Sequence, residues 1–233
     1  MIRISIVTIT WNAAGSLPRT LQSVASQTYP HIEHLIVDGA SKDGTVSIAQ
    51  CYQAERPYDV VITSEPDCGL YDAMNKGLAR ATGDYVLFLN AGDALHAPDT
   101  LEVVANCAQP LPAVIYGDTA ITDAEGRFLH LRRLRPPQQL SWRSFRQGML
   151  VCHQAFFARL DIARQLPYDL QYRYSADVDW CIRVMKEAER RQLPLVNSHA
   201  VLADFEEGGS TTQHHRDSLK ERYRVMQHHY GSA

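Results

Sequence analysis

Residues 65–93, EPDCGLYDAMNKGLARATGDYVLFLNAGD, decide the fold because they contain the pattern of a helix, a strand and an acidic turn in succession. Apolar or small residues recur there at steps of three and four: Leu70, Ala73, Met74, Gly77, Leu78 and Ala81. This period predicts a helix with one apolar face, which Gly83 ends. The continuous apolar run at residues 85–89 then predicts a strand that is buried on both faces.

The segment Asn90-Ala-Gly-Asp93 follows at the carboxyl end of that strand. Open parallel sheets bind ligands at the carboxyl ends of their strands, so this position favours a functional turn. A buried strand followed by a plain Gly-Asp turn has the same pattern. The segment alone does not separate the two interpretations.

Strands and helices alternate through the first half of the chain with short connections. Strands are predicted at residues 4–10, 32–37 and 60–63, and helices from about residue 16 and over residues 45–54. The alternation predicts an α/β fold with a doubly wound, mostly parallel sheet flanked by helices. Three strand ends, at residues 8–12, 38–43 and 90–93, are then expected to converge at one edge of the sheet.

The second half has a looser pattern and is expected to extend over the same sheet. Helices are predicted at residues 101–107, within residues 174–189, and in the last segment, where Leu219, Tyr223, Met226 and Tyr230 share one side. Strands are predicted at residues 114–118, 151–158 and 201–205, with a hairpin over 119–131 and loops at 131–146 and 206–210. Asp177 and Asp179 lie at the start of a helix, where capping is the simplest role of a carboxylate.

The composition indicates a globular protein without a nucleic-acid partner. The chain has 233 residues, of which 45% are hydrophobic, and a net charge of −3 leaves no global basic field. Its five cysteines are scattered without a CxxC pair, which is typical of free thiols in a reducing compartment. No apolar run approaches the roughly 20 residues of a membrane helix. We therefore expect a soluble, cytoplasmic protein.

Several segments, spread over nearly the whole chain, form a set whose order and spacing are specific. They are Ser5-Ile-Val-Thr-Ile-Thr-Trp-Asn12, Val37-Asp-Gly-Ala-Ser-Lys-Asp-Gly-Thr45, Asp72-Ala-Met-Asn-Lys-Gly77, Gly83-Asp-Tyr-Val-Leu-Phe-Leu-Asn-Ala-Gly-Asp93, His153-Gln-Ala-Phe-Phe157, Ala176-Asp-Val-Asp-Trp-Cys-Ile-Arg183 and Gly208-Gly-Ser-Thr211. This set resembles the family 2 glycosyltransferases of the GT-A fold, of the bacterial polysaccharide-biosynthesis type. The resemblance implies a single compact GT-A domain, with a nucleotide-sugar-binding half in residues 1–99 and an acceptor-binding and catalytic-base half in residues 100–233.

The resemblance implies an inverting transfer of a sugar from a nucleoside diphosphate sugar to a hydroxyl of a saccharide or lipid-linked saccharide, in cell-surface polysaccharide biosynthesis. The donor-side positions that it implies are Thr8, Trp11 and Asp38 near the nucleotide base, Asp72 and Lys76 at the ribose or diphosphate, and Asn90 in the turn. The position of the catalytic base is Asp177. The acceptor-side positions are His153, Gln154, Asp179 and Arg183.

Two departures from the family pattern concern the metal and the base. Asn90 replaces the first aspartate of the acidic motif and Gly92 stands where a second is common, which leaves Asp93 as the anionic ligand of the turn. The implied cofactor is Mg²⁺ or Mn²⁺, which keeps waters and takes diphosphate oxygens as ligands. The Glu-Asp pair usual at the base is Ala176-Asp177 here, so the base is retained without its acidic neighbour.

Other functions remain open on the sequence alone. A sugar nucleotidyltransferase would want a glycine-rich, basic first loop, and a nicotinamide dehydrogenase would want G-x-G-x-x-G after the first strand; neither is present. A turn with a single acidic residue also fits a catalytically inactive module that binds nucleotide or carbohydrate. A basic run would suit a lipid diphosphate at the inner face of the membrane, or is simply solvated: Arg132, Arg133, Arg135, Arg143 and Arg146.

Overall fold

The computed structural model describes residues 1–207 and 215–231, and one nine-stranded sheet runs through these residues. The strands are β1 (Ile4–Thr10), β2 (Ile32–Asp38), β3 (Asp59–Ser64), β4 (Tyr85–Phe88), β5 (Ala94–Leu95), β6 (Val114–Thr122), β7 (Phe128–Leu131), β8 (Phe156–Arg159) and β9 (Leu195–Glu206). The α-helices are α1 (Leu17–Ala25), α2 (Thr45–Ala54), α3 (Leu70–Arg80), α4 (Thr100–Asn106), α5 (Leu160–Ala163), α6 (Ala176–Arg190) and α7 (His215–Tyr230). Short 3-10 helices lie at Trp142–Gln147 and His153–Ala155.

The first half of the chain builds the parallel part of the sheet, in the order β3-β2-β1-β4. Every residue of β1, β2 and β4 is buried, as expected for strands that are covered on both faces. Helix α3 packs so closely on β1 that a Cβ atom placed on Gly77 would lie 2.3 Å from Val7 Cγ1. The predicted α/β fold class, a mostly parallel sheet flanked by helices, is confirmed.

The second half continues the same sheet in the order β4-β8-β6-β9-β5, while β7 pairs with β6 alone. Strand β8 is antiparallel to both β4 and β6, and β9 runs parallel to β6. The short strand β5 returns to pair with the end of β9, with Ala94 opposite Asp204. This pairing brings the turn at residues 90–93 next to the end of β9.

The structure differs from the sequence expectation in three places. The strand expected at residues 151–158 begins only at Phe156, because a 3-10 helix occupies His153–Ala155. Strand β9 begins at Leu195, six residues before the expected start, because its ladder with β6 carries polar residues that lack an alternating apolar pattern. The expected loop at residues 131–146 ends in the 3-10 helix Trp142–Gln147.

Only part of the side of the last helix that carries Leu219, Tyr223, Met226 and Tyr230 contacts the core, since Met226 and Tyr230 pack against it. Leu219 and Tyr223 are 50% and 65% exposed, whereas Ser218 and Val225 are buried. Helix α7 is therefore rotated so that polar and apolar residues share its buried side. The segment Gly208-Gly-Ser-Thr211 and the end of the expected loop at residues 206–210 lie outside the described residues.

No helix in residues 1–207 or 215–231 combines the length and the apolar character needed to cross a membrane. All five cysteines are free thiols, as the scattered spacing indicates.

Candidate active site

Asp38 ends β2 and organises the loop that follows it. Its buried carboxylate accepts hydrogen bonds from Thr10 Oγ1 at 2.9 Å, from the Ser41 backbone N–H at 2.9 Å and from Ser64 Oγ at 2.7 Å. Burial alone would raise the pKa of Asp38, but these hydrogen bonds hold it below its usual value. Trp11, from the end of β1, is 72% exposed above this region and presents a free aromatic face.

Thr8 lies inside the sheet rather than on the surface at the strand ends. It is 0% exposed, and its Oγ1 lies 2.9 Å from His34 Nε2. His34 Nδ1 in turn lies 2.9 Å from the Tyr52 hydroxyl. The imidazole is completely buried, and that burial lowers the pKa of His34 to about 3, so the ring is neutral.

Asp72 and Lys76 hold the loop that leads into α3. The Asp72 carboxylate accepts a hydrogen bond from the Cys68 backbone N–H at 3.0 Å. Lys76 Nζ donates to the Pro66 carbonyl at 2.7 Å and lies 3.3 Å from Glu65 Oε1. Both side chains are about a fifth exposed, and their protein contacts fix the loop beside the ends of β2 and β3.

The turn after β4 contains the hydrogen-bonded carboxylate of Asp93 and the side-chain amide oxygen of Asn90. Asp93 is 5% exposed; it accepts hydrogen bonds from Gln154 Nε2 at 2.8 Å and from the Glu206 backbone N–H at 3.3 Å. Burial raises the pKa of Asp93 to about 6, and these donors only partly offset it. Asn90 Oδ1 is buried and has no hydrogen-bond partner within the part of the chain that the structure describes. A buried acceptor without a partner is costly, so Asn90 offers an oxygen to a bound group.

Asp177, the second residue of α6, is held by two side chains from other elements. Its Oδ1 accepts a hydrogen bond from the Tyr71 hydroxyl at 3.1 Å, and its Oδ2 lies 3.4 Å from His153 Nδ1. Burial alone would raise the pKa of Asp177, but His153, a nearby Arg222 charge and Tyr71 together keep it below its usual value. The carboxylate is thus negative at neutral pH and remains 18% exposed.

His153 connects the base to the turn. Its other nitrogen, Nε2, lies 3.4 Å from Asn90 Nδ2, so one imidazole spans the distance between Asn90 and Asp177. These contacts are consistent with a proton on Nδ1 facing Asp177 and a lone pair on Nε2 facing the amide. The strand-end turn and the start of α6 are therefore brought together.

The remaining acceptor-side positions make contacts behind this group. Gln154 is 1% exposed and is bonded to Asp93. Asp179 is buried between Arg183 Nε at 2.6 Å and His229 Nε2 at 2.7 Å, which ties α6 to α7. These side chains position neighbouring elements and do not line the space in front of Asp177.

Glu206 and Tyr71 belong to the site, although the sequence did not single them out. A Cβ atom placed on Gly92 would lie 3.0 Å from Glu206 Oε2, so the Glu206 carboxylate lies beside the turn where the family has a second aspartate. Glu206 ends β9 and its side chain is one third exposed. Its sequence neighbourhood, two glutamates before a glycine-rich segment, was the one signal available for it. Tyr71 had none, because its hydroxyl is directed by tertiary packing.

The oxygens around the turn suit a hard divalent cation. Among the described residues, no group of three His, Cys, Asp or Glu side chains is arranged to hold a metal ion. The Asn90 Oδ1 atom and the Glu206 carboxylate are two oxygen donors, and the Asp93 carboxylate, which accepts the Glu206 backbone N–H, is a third in the same turn. Mg²⁺ and Mn²⁺ commonly take the rest of their ligands from water and phosphate oxygens, so such a partial set fits them.

Most of the basic run is paired within the protein. Arg132 donates to the carbonyls of Leu134 and Met149, Arg135 pairs with Asp118, and Arg143 pairs with Glu189 at 2.6 Å. Arg146 lies over the Tyr230 ring. The run therefore presents less free charge than its sequence suggests.

The Glycosyl transferase family 2 model matches residues 5–166, which is more than half of the chain. The chain belongs to glycosyltransferase family 2. A "PGL/p-HBAD biosynthesis glycosyltransferase" of Mycobacterium tuberculosis is 36% identical over 211 residues, which are 88% of this chain and 77% of that protein. The "Putative teichuronic acid biosynthesis glycosyltransferase TuaG" of Bacillus subtilis is 40% identical over 90 residues, which are 39% of this chain and 36% of that protein.

Solved structures of low sequence identity share the GT-A fold. Staphylococcus aureus TarS 1-349 in complex with UDP-GlcNAc superposes with a TM-score of 0.77 at 15% identity, covering 96% of this chain and 65% of that chain. The mannosyltransferase PcManGT from Pyrobaculum calidifontis, in complex with GDP-Man and Mn²⁺, has a TM-score of 0.66 at 18% identity, covering 96% and 64%. This glycosyltransferase thus spans less than two thirds of the length of these structures.

Proposed function

We propose that this glycosyltransferase moves a sugar, with inversion, from a nucleoside diphosphate sugar to a hydroxyl of a saccharide or lipid-linked saccharide in cell-surface polysaccharide biosynthesis. The observation that carries the proposal is Asp177, a partly exposed carboxylate with a lowered pKa, one imidazole away from the turn at Asn90. The nucleotide sugars bound in two solved structures of the same fold, UDP-GlcNAc and GDP-Man, support the class of donor. We also propose a nucleotide-sugar-binding half in residues 1–99 and an acceptor-binding and catalytic-base half in residues 100–233, which the position of Asp177 in the second half supports.

In the proposed reaction Asp177 removes the proton from the acceptor hydroxyl as its oxygen attacks the anomeric carbon. His153 and Tyr71 hold the carboxylate in place and keep it ionised. The bond to the leaving diphosphate breaks on the opposite face, so one displacement inverts the anomeric centre through an oxocarbenium-like state. One base on one side of the sugar is sufficient for this chemistry.

We propose that Asn90, Asp93 and Glu206 hold Mg²⁺ or Mn²⁺ together with the donor's diphosphate. Bound there, the cation would neutralise charge on the leaving diphosphate as a Lewis acid. The free Asn90 oxygen and the Glu206 carboxylate next to Gly92 support this assignment. Trp11 would stack on the nucleotide base beside the loop that Asp38 organises. Free thiols throughout support a cytoplasmic location, with the acceptor reached at the inner face of the membrane.

A catalytically inactive nucleotide- or carbohydrate-binding module is the second candidate, because Asn90 and Gly92 remove acidic residues from the turn. The two candidates differ in turnover. Thermal unfolding with UDP, GDP and their sugars, with and without Mn²⁺, identifies the donor first; a ligand at 100 times its Kd adds about 2.7 kcal/mol, a shift of several degrees.

With the donor identified, Asp177→Asn tests the chemistry. Transfer, or donor hydrolysis in the absence of a known acceptor, should fall roughly 10²–10⁴-fold while nucleotide binding is kept. Asp217→Asn is the matched control, since Asp217 also lies in the first turn of a helix but is exposed and only pairs with Lys220 at 3.5 Å. Binding without turnover in the wild type would favour the inactive module, and no nucleotide binding would reject both the transferase and a nucleotide-binding module.

A further inference from the structure

Arg222 is a half-buried cation on α7, near the start of α6. Its guanidinium Nε is buried and makes no hydrogen bond to the residues that the structure describes. It forms no ion pair with a carboxylate in residues 1–207 or 215–231. Its positive charge nevertheless interacts with the Asp177 carboxylate and helps to keep the pKa of Asp177 low. Arg222 therefore differs from the surface arginines, most of which are paired.

The position of Arg222 is fixed by contacts on either side of it along α7. The Glu221 carboxylate accepts hydrogen bonds from the backbone N–H of Arg173 at 2.7 Å and of Tyr174 at 2.5 Å, directly before α6. One turn later Val225 is 0% exposed in the main core. Since residues three and four apart share a helix face, Arg222 is held toward the start of α6, where Asp177 lies.

Such an arrangement is costly unless a ligand completes it. A guanidinium that is partly removed from water loses hydration, and no residue in 1–207 or 215–231 supplies a compensating hydrogen bond at Nε. The planar fork of arginine matches the oxygens of a phosphate group with two parallel N–H···O bonds. The reaction proposed for this site brings a diphosphate into the same active site.

We propose that Arg222 binds a diphosphate group in the active site of this glycosyltransferase. The inference rests on the proposed function, because it assigns the diphosphate to the same site. Two molecules carry this group: the nucleoside diphosphate of the donor and the lipid diphosphate of a lipid-linked acceptor. Arg222 would hold the phosphate oxygens in place and balance the charge that gathers on them.

The test compares diphosphates with monophosphates in Arg222→Gln, Arg222→Lys and Arg224→Gln. Arg224 is the matched control, because it lies on the same helix but is exposed. Calorimetric titration with UDP and UMP, and with GDP and GMP, should show diphosphate affinity about 10- to 100-fold lower in Arg222→Gln, and monophosphate affinity changed less. Arg222→Lys keeps the positive charge without the planar fork, so its diphosphate affinity should lie between those of the wild type and Arg222→Gln. It takes the place of the glutamine variant if the glutamine variant unfolds at a lower temperature than the wild type.

Farnesyl diphosphate and farnesyl monophosphate, titrated in the same way, distinguish the two sources of the diphosphate. A selective loss with the nucleotides assigns Arg222 to the donor, and a selective loss with the farnesyl pair assigns it to the acceptor. Equal affinities in Arg222→Gln and Arg224→Gln for every probe would overturn the proposal. A shifted pH–rate profile with unchanged affinities would also overturn it, since Arg222 would then act only on Asp177. If the wild type binds no nucleoside diphosphate, the proposed function itself fails.

Discussion

Replacing Tyr71 with phenylalanine should raise the pKa of the candidate base and leave the fold intact. The Tyr71 hydroxyl donates a hydrogen bond of 3.1 Å to Asp177 Oδ1, and this bond favours the ionised carboxylate. Tyr71 is 6% exposed, so phenylalanine keeps the buried ring and removes only the donor. The variant thus isolates one contribution to the charge state of Asp177.

The size of the effect follows from the geometry. A hydrogen bond to a charged group contributes about 1.5–3 kcal/mol, and one pKa unit corresponds to about 1.36 kcal/mol. The lower end applies here, because 3.1 Å is long for a hydroxyl bonded to a carboxylate and because the Asp177 side chain is 18% exposed. The pKa of Asp177 should therefore rise by about one unit.

The assay is the pH dependence of kcat/KM with the identified donor. A base works only when it is deprotonated, so the rate falls as the pH drops through the pKa of Asp177. In Tyr71→Phe the acid limb of the kcat/KM profile should move up by about one pH unit. The value of kcat/KM should then be about tenfold lower than in the wild type at pH values well below the limb, and nearly unchanged above it.

Tyr168→Phe is the control for the loss of a buried hydroxyl. The Tyr168 ring stacks on Tyr71 with centroids 5.4 Å apart, and its own hydroxyl is buried without a hydrogen-bond partner. Its removal should leave the acid limb where it is. An unmoved limb in Tyr71→Phe, or equal shifts in both variants, would refute the assignment of Asp177 as a base held by Tyr71.

Two further predictions concern stability. The pKa of His34 is about 3 in the folded protein against 6.5 for a free histidine, so the unfolded chain binds more protons between these values and stability rises with pH through this window. His34 should contribute about 2 kcal/mol to the rise in the free energy of unfolding between about pH 5 and pH 7.5. Urea unfolding at the two pH values should show a smaller rise in His34→Gln than in the wild type. An equal rise in both proteins would contradict the neutral buried ring. Gly77→Ala should destabilise by about 1–3 kcal/mol, because its Cβ would lie 2.3 Å from Val7 Cγ1, whereas Gly15→Ala has nothing within 4 Å and should be near neutral. Urea unfolding checks this pair, and equal stabilities would argue against the close packing of α3 on β1.

Local patterns were sufficient for the parallel half of the fold. Strand β1 and helix α2 have the predicted bounds, because β-branched runs and short connections encode them within a few residues. The last helix could not be oriented in the same way. Leu219 and Tyr223 are exposed, while Val225 is buried in the core and polar contacts such as those of Glu221 and His229 hold the rest of the buried side. Hydrophobic periodicity does not register such contacts.

The candidate site was predictable as a place but not as a set of contacts. The convergence of strand ends at one edge of the sheet follows from topology. The roles of Gln154 and Thr8 do not, since each is bonded to a side chain distant in sequence, Asp93 and His34 respectively. A motif assigns a residue to a region of the fold, but its partners depend on the register between strands.

The turn after β4 shows how far a motif read along the chain can mislead. The segment Asn90-Ala-Gly-Asp93 contains one carboxylate. A second carboxylate lies beside it in space, because a Cβ atom placed on Gly92 would lie 3.0 Å from Glu206 Oε2. Gly92 has φ +107°, a conformation that an aspartate rarely adopts. An aspartate at 92 would therefore be strained and would also crowd Glu206. Since β5 pairs with the end of β9, the acidic group of this turn is assembled from two segments, and its charge must be counted across the sheet.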